Sequence, residues 1–502
     1  MSSFQKFIAN IGWTVLGKIT VQVLLFAISI ILTRYLGKEG LGNYATLLVI
    51  PVFIRLLNSF GFETLINTKL PALNISDSSG KEGRYLISRL LVLRLMTTVF
   101  FCFLMYHFLS YYLDLIDRPE LLAFRWVLIL YFMVIAVDSI FSTLFMTLLR
   151  FKALAKIETL GALLNLIFLI VFIRWDFGIY GVLYAYVIST GVTNVICLVL
   201  ARDQYSGPVK KPEWDDMRHL GLVSYGIAFF GFGLMTQSDV LLMNFFKVES
   251  GDIGLYYLAT GLTGTMVFLL AGVIPMALSL FSETFAKEGV EGLANLYCKI
   301  VGFASYLTIP IYVFCVFNSK ILIGFIYGPA FEKATWALII FSALAGIQTA
   351  LGNNFTLATL FVLRQRGAAI RITVEGSVLN LGLNLMLIPA FGMMGAITAT
   401  GATMVYMVLR QLKIISVELK IAPVFPVIGQ CFLYCLVASM SSLVLSWLKL
   451  EHLVINLVLY LLILINLFVL VKPFNDEQRQ LVINVYPKLD SWSKWFFRPP
   501  RV

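Results

Sequence analysis

Apolar runs long enough to cross a bilayer recur about fourteen times in this chain, and nothing else in it restricts the fold so severely. Backbone N–H and C=O groups find no partner in hydrocarbon, so each crossing must satisfy its own hydrogen bonds, as a helix of roughly 20 residues does. Alternation of the strand type is absent, which argues against a barrel. Sixty per cent of the 502 residues are hydrophobic, 13% are charged and the mean hydropathy is +0.89. A soluble core has no use for that much apolar surface. The expected fold is an all-α polytopic membrane protein with about 14 transmembrane helices.

The runs fall at 11–33, 43–65, 86–109, 122–145, 159–173 and 177–200, and again at 220–246, 254–281, 300–317, 334–360, 372–390 and 392–415. A last pair, 424–448 and 453–471, stands apart. The grouping in sixes is supported by a repeat. Arg150, Lys152 and the run Phe177-Gly178-x-x-Gly181 match Arg364, Arg366 and Phe391-Gly392-x-x-Gly395 at a constant offset. Gly161, Leu164 and Asn165 match Gly376, Leu379 and Asn380, and Gly42-x-Tyr44 matches Gly254-x-Tyr256, at nearly the same offset. Shared order and spacing indicate a duplication. The expected organisation is a six-helix bundle over 1–201, a cytoplasmic linker over 202–218, a second six-helix bundle over 219–416, an extra helix pair over 417–471 and a cytoplasmic tail over 472–502.

Charge placement sets the orientation. Most of the 38 basic residues lie in segments that are inward if the N-terminus is cytoplasmic, whereas the outward loops hold few, among them Arg34, Lys38, Arg118 and Lys449. Both ends are therefore expected in the cytoplasm. Six spans per copy put the copies in the same orientation, as in transporters built from parallel repeats. The net charge of +11 is a topology signal, and no nucleic acid partner is expected. The six cysteines lie in or beside apolar runs without metal or redox spacing, and the three histidines are scattered, so no metal site is expected. Gly12-x-x-x-x-Gly17-Lys18 continues with Ile19 inside a span, which is not a nucleotide-binding loop.

Ionisable groups inside a span cost roughly 2.5–3.5 kcal/mol each on insertion scales, so they mark wet cavities or partners. Lys18, Arg55 and Arg94 are the cations within the first copy's spans, and Gln22 lies one turn beyond Lys18 on the same face. Asp138 and Asp239 are anions, and both are candidates for ion coupling. With cations in excess, the first bundle should enclose an electropositive cavity suited to phosphate or pyrophosphate, unless Asp138 pairs internally with Arg94. Asn353 and Asn354 are candidates for bonding sugar hydroxyls, or for joining helices. No cofactor is expected; without an ATP-binding element, transport would draw on a gradient, with H+ or Na+ as coupling ion.

The run from Arg34 to Tyr44, RYLGKEGLGNY, resembles the R-x-L-G-x-x-x-x-G-x-Y signature of polysaccharide flippases. The stretches from Asp239 to Tyr256, from Ile323 to Phe331 and from Asn380 to Gly395 are similar to further parts of that family. The resemblance covers about residues 1–415 and points to the Wzx-type O-antigen flippases of the multidrug/oligosaccharidyl-lipid/polysaccharide (MOP) exporter superfamily. It implies two bundles with alternating access in the bacterial inner membrane, moving an undecaprenyl-pyrophosphate-linked oligosaccharide for lipopolysaccharide or related polysaccharide synthesis. It also implies contact with membrane lipids, a polysaccharide polymerase and chain-length proteins, and no enzymatic step. Two alternatives stand beside it. A multidrug or cation antiporter of the same superfamily would favour anionic sites, and a membrane enzyme acting on lipid-linked sugars would need a large catalytic outer loop.

Overall fold

The computed structural model describes residues 3–77, 79–211, 225–226, 230, 237–266, 274–448 and 452–471. The described residues are almost wholly helical. In chain order the helices are α1 (Ser3–Leu57), α2 (Phe62–Ser76), α3 (Lys81–Leu115), α4 (Arg125–Thr147), α5 (Phe151–Arg174), α6 (Gly178–Leu200), α7 (Ser238–Phe245) and α8 (Ser250–Thr265). They continue with α9 (Ile274–Ile326), α10 (Ala334–Ala350), α11 (Asn353–Val362), α12 (Arg366–Phe391), α13 (Met393–Glu418), α14 (Val424–Trp447) and α15 (Leu453–Val471).

Ten of the described helical stretches are long and apolar enough to cross a membrane. The difference from fourteen runs has identifiable sources. α1 carries runs one and two in 55 residues, about 80 Å at 1.5 Å per residue, far longer than a hydrocarbon core. Gly37, at φ 66° and ψ −179°, supplies the bend that lets it cross twice. Most of run seven and part of run eight lie outside the described residues, as does the tail 472–502 with its Trp492 and Trp495. Run twelve forms α13, which is not among the ten.

The chain divides by contacts into two units, one of residues 1–257 and 373–400, the other of 258–372 and 401–502. In the first, Ile66, Leu70, Leu86, Ile87, Phe141 and Leu144 form a core that joins α2, α3 and α4. In the second, Phe281, Tyr297, Phe355, Ile372, Val408 and Ile415 pack together, and the extra pair α14–α15 seats Cys431, Cys435 and Tyr460 against α9. Tyr460 donates to the Pro310 carbonyl at 2.8 Å, tying α15 to α9. All six cysteines are free thiols, four of them buried, in keeping with a packing role. The contact units cut the chain elsewhere than the repeat does; the division at 201, 218, 416 and 471 stands as our proposal about duplication.

The repeat has a backbone counterpart. Leu149 and Arg364 both take left-handed φ (56° and 58°), and Gly178 and Gly392 do likewise (56° and 54°). α4 and α11 end on the same turn, with Arg150 N bonded to Phe145 O and Gln365 N to Leu360 O. Here the structure aligns Leu149 with Arg364 and Arg150 with Gln365, one residue away from the alignment suggested by the side chains. The repeated Gly-x-Tyr motifs also touch each other. A Cβ on Gly42 would lie 1.7 Å from the Ser250 carbonyl oxygen, and one on Gly254 would lie 2.2 Å from the Lys38 carbonyl oxygen. Each glycine thus lets its helix approach the other copy's backbone four residues before the matching glycine. Tyr44 meets Tyr257 edge-on at 6.0 Å, and Thr46 donates to Asn244 Oδ1 at 3.0 Å beside this crossing.

Gly42→Ala should lower the thermal midpoint of the purified protein by the equivalent of about 1–3 kcal/mol, because the backbone it meets cannot yield. Gly191→Ala, with open space at its Cβ, should leave the midpoint unchanged in the same size-exclusion melting assay. Between α2 and α3, hydrogen bonds from the Ser79 hydroxyl and the Glu82 N–H hold Asp77 down to a pKa of about 2. A depressed carboxylate contributes order above its unfolded pKa and loses it as pH falls through its folded one. Amide protection factors at the start of α3 should therefore hold from neutrality to about pH 4 and fall only on approach to 2, whereas Asp77→Ala should lower them throughout.

Candidate functional site

Span two does not run straight through. α1 stops at Leu57 and α2 starts at Phe62, with Phe60 (φ 44°) and Gly61 (φ 74°) left-handed between them. A broken helix leaves carbonyls without partners, which lipid cannot supply. Arg94 of α3, 2% exposed, fills the gap. Its Nη1 donates to the Asn58 carbonyl, and its Nη2 pairs with Glu63 and donates to Ser139 Oγ at 3.2 Å. Ser139 in turn donates to Glu63 Oε1 at 2.9 Å, and Asn58 Nδ2 to Thr98 Oγ1 at 3.0 Å. Phe62 lies 5.3 Å beneath the guanidinium. Arg94 is thereby committed to shaping the break. It pairs with Glu63, not with Asp138.

The break opens a cavity of about 630 Å³ in the first unit. Arg55 lines it from the end of α1, Ser59 from the break, Glu63 and Thr64 from α2, Tyr131, Asp138, Ser139, Ser142 and Thr143 from α4, and Tyr186 from α6. Arg55 makes no hydrogen bond or ion pair with a described residue; the carboxylate whose charge meets it is Asp138. Lys18, half-buried on α1, stands in the same electrostatic relation to Glu158 of α5. Gln22 is half-buried one turn along α1.

The expected excess of positive charge is corrected by these neighbours. Glu63 and Glu158 join Asp138, so three carboxylates stand among Lys18, Arg55 and Arg94. Both glutamates were missed because they lie near the ends of their apolar runs, where a charge reads as interfacial. Glu63 stands in the first turn of α2 and Glu158 about two turns inside α5, which the run boundaries did not show. Asn353 and Asn354 are not among the residues that line this cavity. They open α11 in the second unit, after a second break at Gly352 (φ 78°).

Asp239 belongs to a different cluster of the first unit. It is fully buried at the start of α7 and accepts from Thr400 Oγ1 at 2.5 Å, from Asn384 Nδ2 at 2.7 Å and from the Tyr256 hydroxyl. Asn380 Nδ2 donates to Thr400 Oγ1 at 2.9 Å, and Ser238 donates to Asn380 Oδ1 at 3.3 Å. Among the described residues no basic side chain pairs with Asp239, and Asn384 Oδ1 is buried without a hydrogen-bond partner. An unpaired carboxylate among amide and hydroxyl oxygens suits a proton or a hard monovalent cation. The sequence placed Asp239 in a span, but Asn384 and Thr400 come from α12 and α13 and carried no signal of their own.

A model of the family described as polysaccharide biosynthesis protein matches residues 31–336. Among curated proteins, the chain is 25% identical over 257 residues to a probable low-salt glycan biosynthesis flippase, Agl15, of Haloferax volcanii, covering 50% of this chain and 52% of that one. The chain thus spans about half the length of that relative. Among solved structures, it is similar in fold to the lipid II flippase MurJ in an inward closed conformation, at TM-score 0.70 and 15% identity over 90% of this chain and 97% of that chain. An inward-facing multidrug resistance MATE transporter of the MOP superfamily is similar at TM-score 0.60 and 15% identity, over 80% and 98%.

The two arginines should part company on substitution. Arg94→Ala strands Glu63 and the Asn58 carbonyl, and should cost about 3–5 kcal/mol in a thermal or denaturant unfolding measurement. Arg55→Ala, which breaks no bond within the fold, should fall within about 0.5 kcal/mol of the parent.

Proposed function

The chain belongs to the polysaccharide biosynthesis protein family, and from that premise we propose that it is a flippase of the MOP superfamily for a lipid-linked glycan. Its substrate is a polyprenyl-pyrophosphate-linked oligosaccharide, an O-antigen or related polysaccharide repeat unit, moved from the cytoplasmic to the outer leaflet of the bacterial inner membrane. The observation that carries this reading is the cavity at the broken second span, where Arg55 holds a charge that no described side chain bonds. A guanidinium that no described residue bonds, kept in a span at such cost, is accounted for by a strongly polar headgroup. The likeness in fold to a lipid II flippase agrees with it.

Translocation is by alternating access of the duplicated bundles, without chemical change to the substrate; the protein is a transporter and not an enzyme. The loop charges support both ends in the cytoplasm. Asp239, with Asn380, Asn384 and Thr400, is the coupling site for Na+ or H+ in this proposal, and Asp138 is a second carboxylate able to take a proton. Membrane lipids surround it, and a polymerase and chain-length proteins are its partners downstream. Against a cation exporter of the same superfamily stands the wall of this cavity, where Glu63 is bound to Arg94 and the carboxylate of Asp138 is matched by the guanidinium of Arg55.

Proteoliposomes holding the purified chain and a fluorescent polyprenyl-pyrophosphate oligosaccharide test this directly. Label should become accessible to an impermeant quencher on the far leaflet, with the lipid recovered chemically unchanged. Arg55→Ala should slow the rate about tenfold or more, the worth of one charge-assisted contact. An imposed Na+ or H+ gradient should accelerate the parent and leave Asp239→Asn unaffected. Export of a cationic dye in place of the lipid would overturn the assignment.

A further inference from the structure

The cavity at the broken span has a chemistry more specific than positive charge. Glu63 is occupied by Arg94 and Ser139, so the charges on its wall that no described residue bonds are Arg55 and Asp138, one from α1 and one from α4. Tyr131 and Tyr186 stack at 4.6 Å between ring centroids, 25° apart, and form an aromatic wall. The hydroxyl of Ser59, on the lining, is buried and has no hydrogen-bond partner among the described residues. Ser142 and Thr143 add further hydroxyls, and the volume of about 630 Å³ lies within the range of small-ligand pockets.

A diphosphate fits this wall poorly, since Asp138 repels what Arg55 attracts and Arg94 is already spent on Glu63. A sugar hydroxyl both donates and accepts, so a single pyranose ring can give a hydrogen bond to Asp138 and take one from Arg55. The apolar face of such a ring lies naturally on tyrosine. We propose that this cavity is a subsite for an uncharged hexopyranose of the glycan headgroup, which selects neutral sugars over acidic ones. The inference rests on the flippase reading for where the sugar comes from. In it, Asp138 excludes a uronic acid by like charge, and the diphosphate lies outside the cavity.

Saturation-transfer NMR on the full chain in detergent micelles tests the subsite without transport. With methyl β-glucopyranoside as probe, the ring protons should receive saturation, and glucuronic acid should receive about tenfold less. Asp138→Asn should bring glucuronic acid up towards the neutral sugar, and Tyr186→Leu should remove most of the glucopyranoside signal. Ser59→Ala serves as a third variant should either fail to fold. Equal signals from the two sugars in the parent, no signal from the neutral one, or variants that match the parent would each overturn the subsite. Inorganic pyrophosphate displacing the sugar would do so too. Loss of the subsite alongside intact lipid transport in vesicles leaves the flippase reading in place, and sugar binding without transport removes that reading instead.

Discussion

Lipid offers no solvation to a charge or to an open carbonyl, and the arrangement of the first unit follows from that refusal. Span two is broken at Asn58 to Gly61, and the break persists because Arg94 reaches across from α3 to bond the stranded carbonyl. A buried guanidinium then needs a carboxylate, and Glu63 stands in the first turn of α2 to provide it. Ser139 ties the pair to α4. Three helices and the cavity they enclose are therefore organised by a single buried ion pair. Such a pair gains little over apolar packing in net stability, but it fixes geometry, since either partner alone is costly.

The same economy of charge separates two sites that the sequence presents alike. Arg55 and Asp138 face one cavity without bonding each other, and so remain available to a ligand. Asp239 is the opposite case, fully buried and wrapped by donors from α8, α12 and α13. Thr400 and Asn384 satisfy its oxygens as hydrogen-bond acceptors but leave its charge uncompensated among the described residues. One arrangement suits a polar guest that enters and leaves. The other suits a small cation or proton.

The duplication is also a physical device. Gly42 and Gly254, matched in sequence, each make room for the backbone of the other copy, so one motif used twice generates a close helix crossing. That contact was present in the sequence only as an echo of Gly-x-Tyr. Its meaning depends on the helices lying side by side. The turns at Leu149 and Arg364 carry the point further, because equal backbone geometry aligns the copies one residue away from where the like-charged side chains suggested.

By itself the sequence determined the solvent, the helical class, the approximate runs and the repeat, since each of these follows from composition and from spacing along one chain. It also picked out Lys18, Arg55, Arg94, Asp138 and Asp239, because a charge within an apolar run is visible without neighbours. Which charge meets which was decided by tertiary structure alone. Spans apolar on every side carry no stripe to say how each is rotated, so nothing in the chain announced that Arg94 would turn to Glu63 and Arg55 to open space. The breaks at Gly61 and Gly352 were equally hidden, for a glycine within an apolar run reads as helix until a neighbouring side chain bonds the carbonyl that the break exposes.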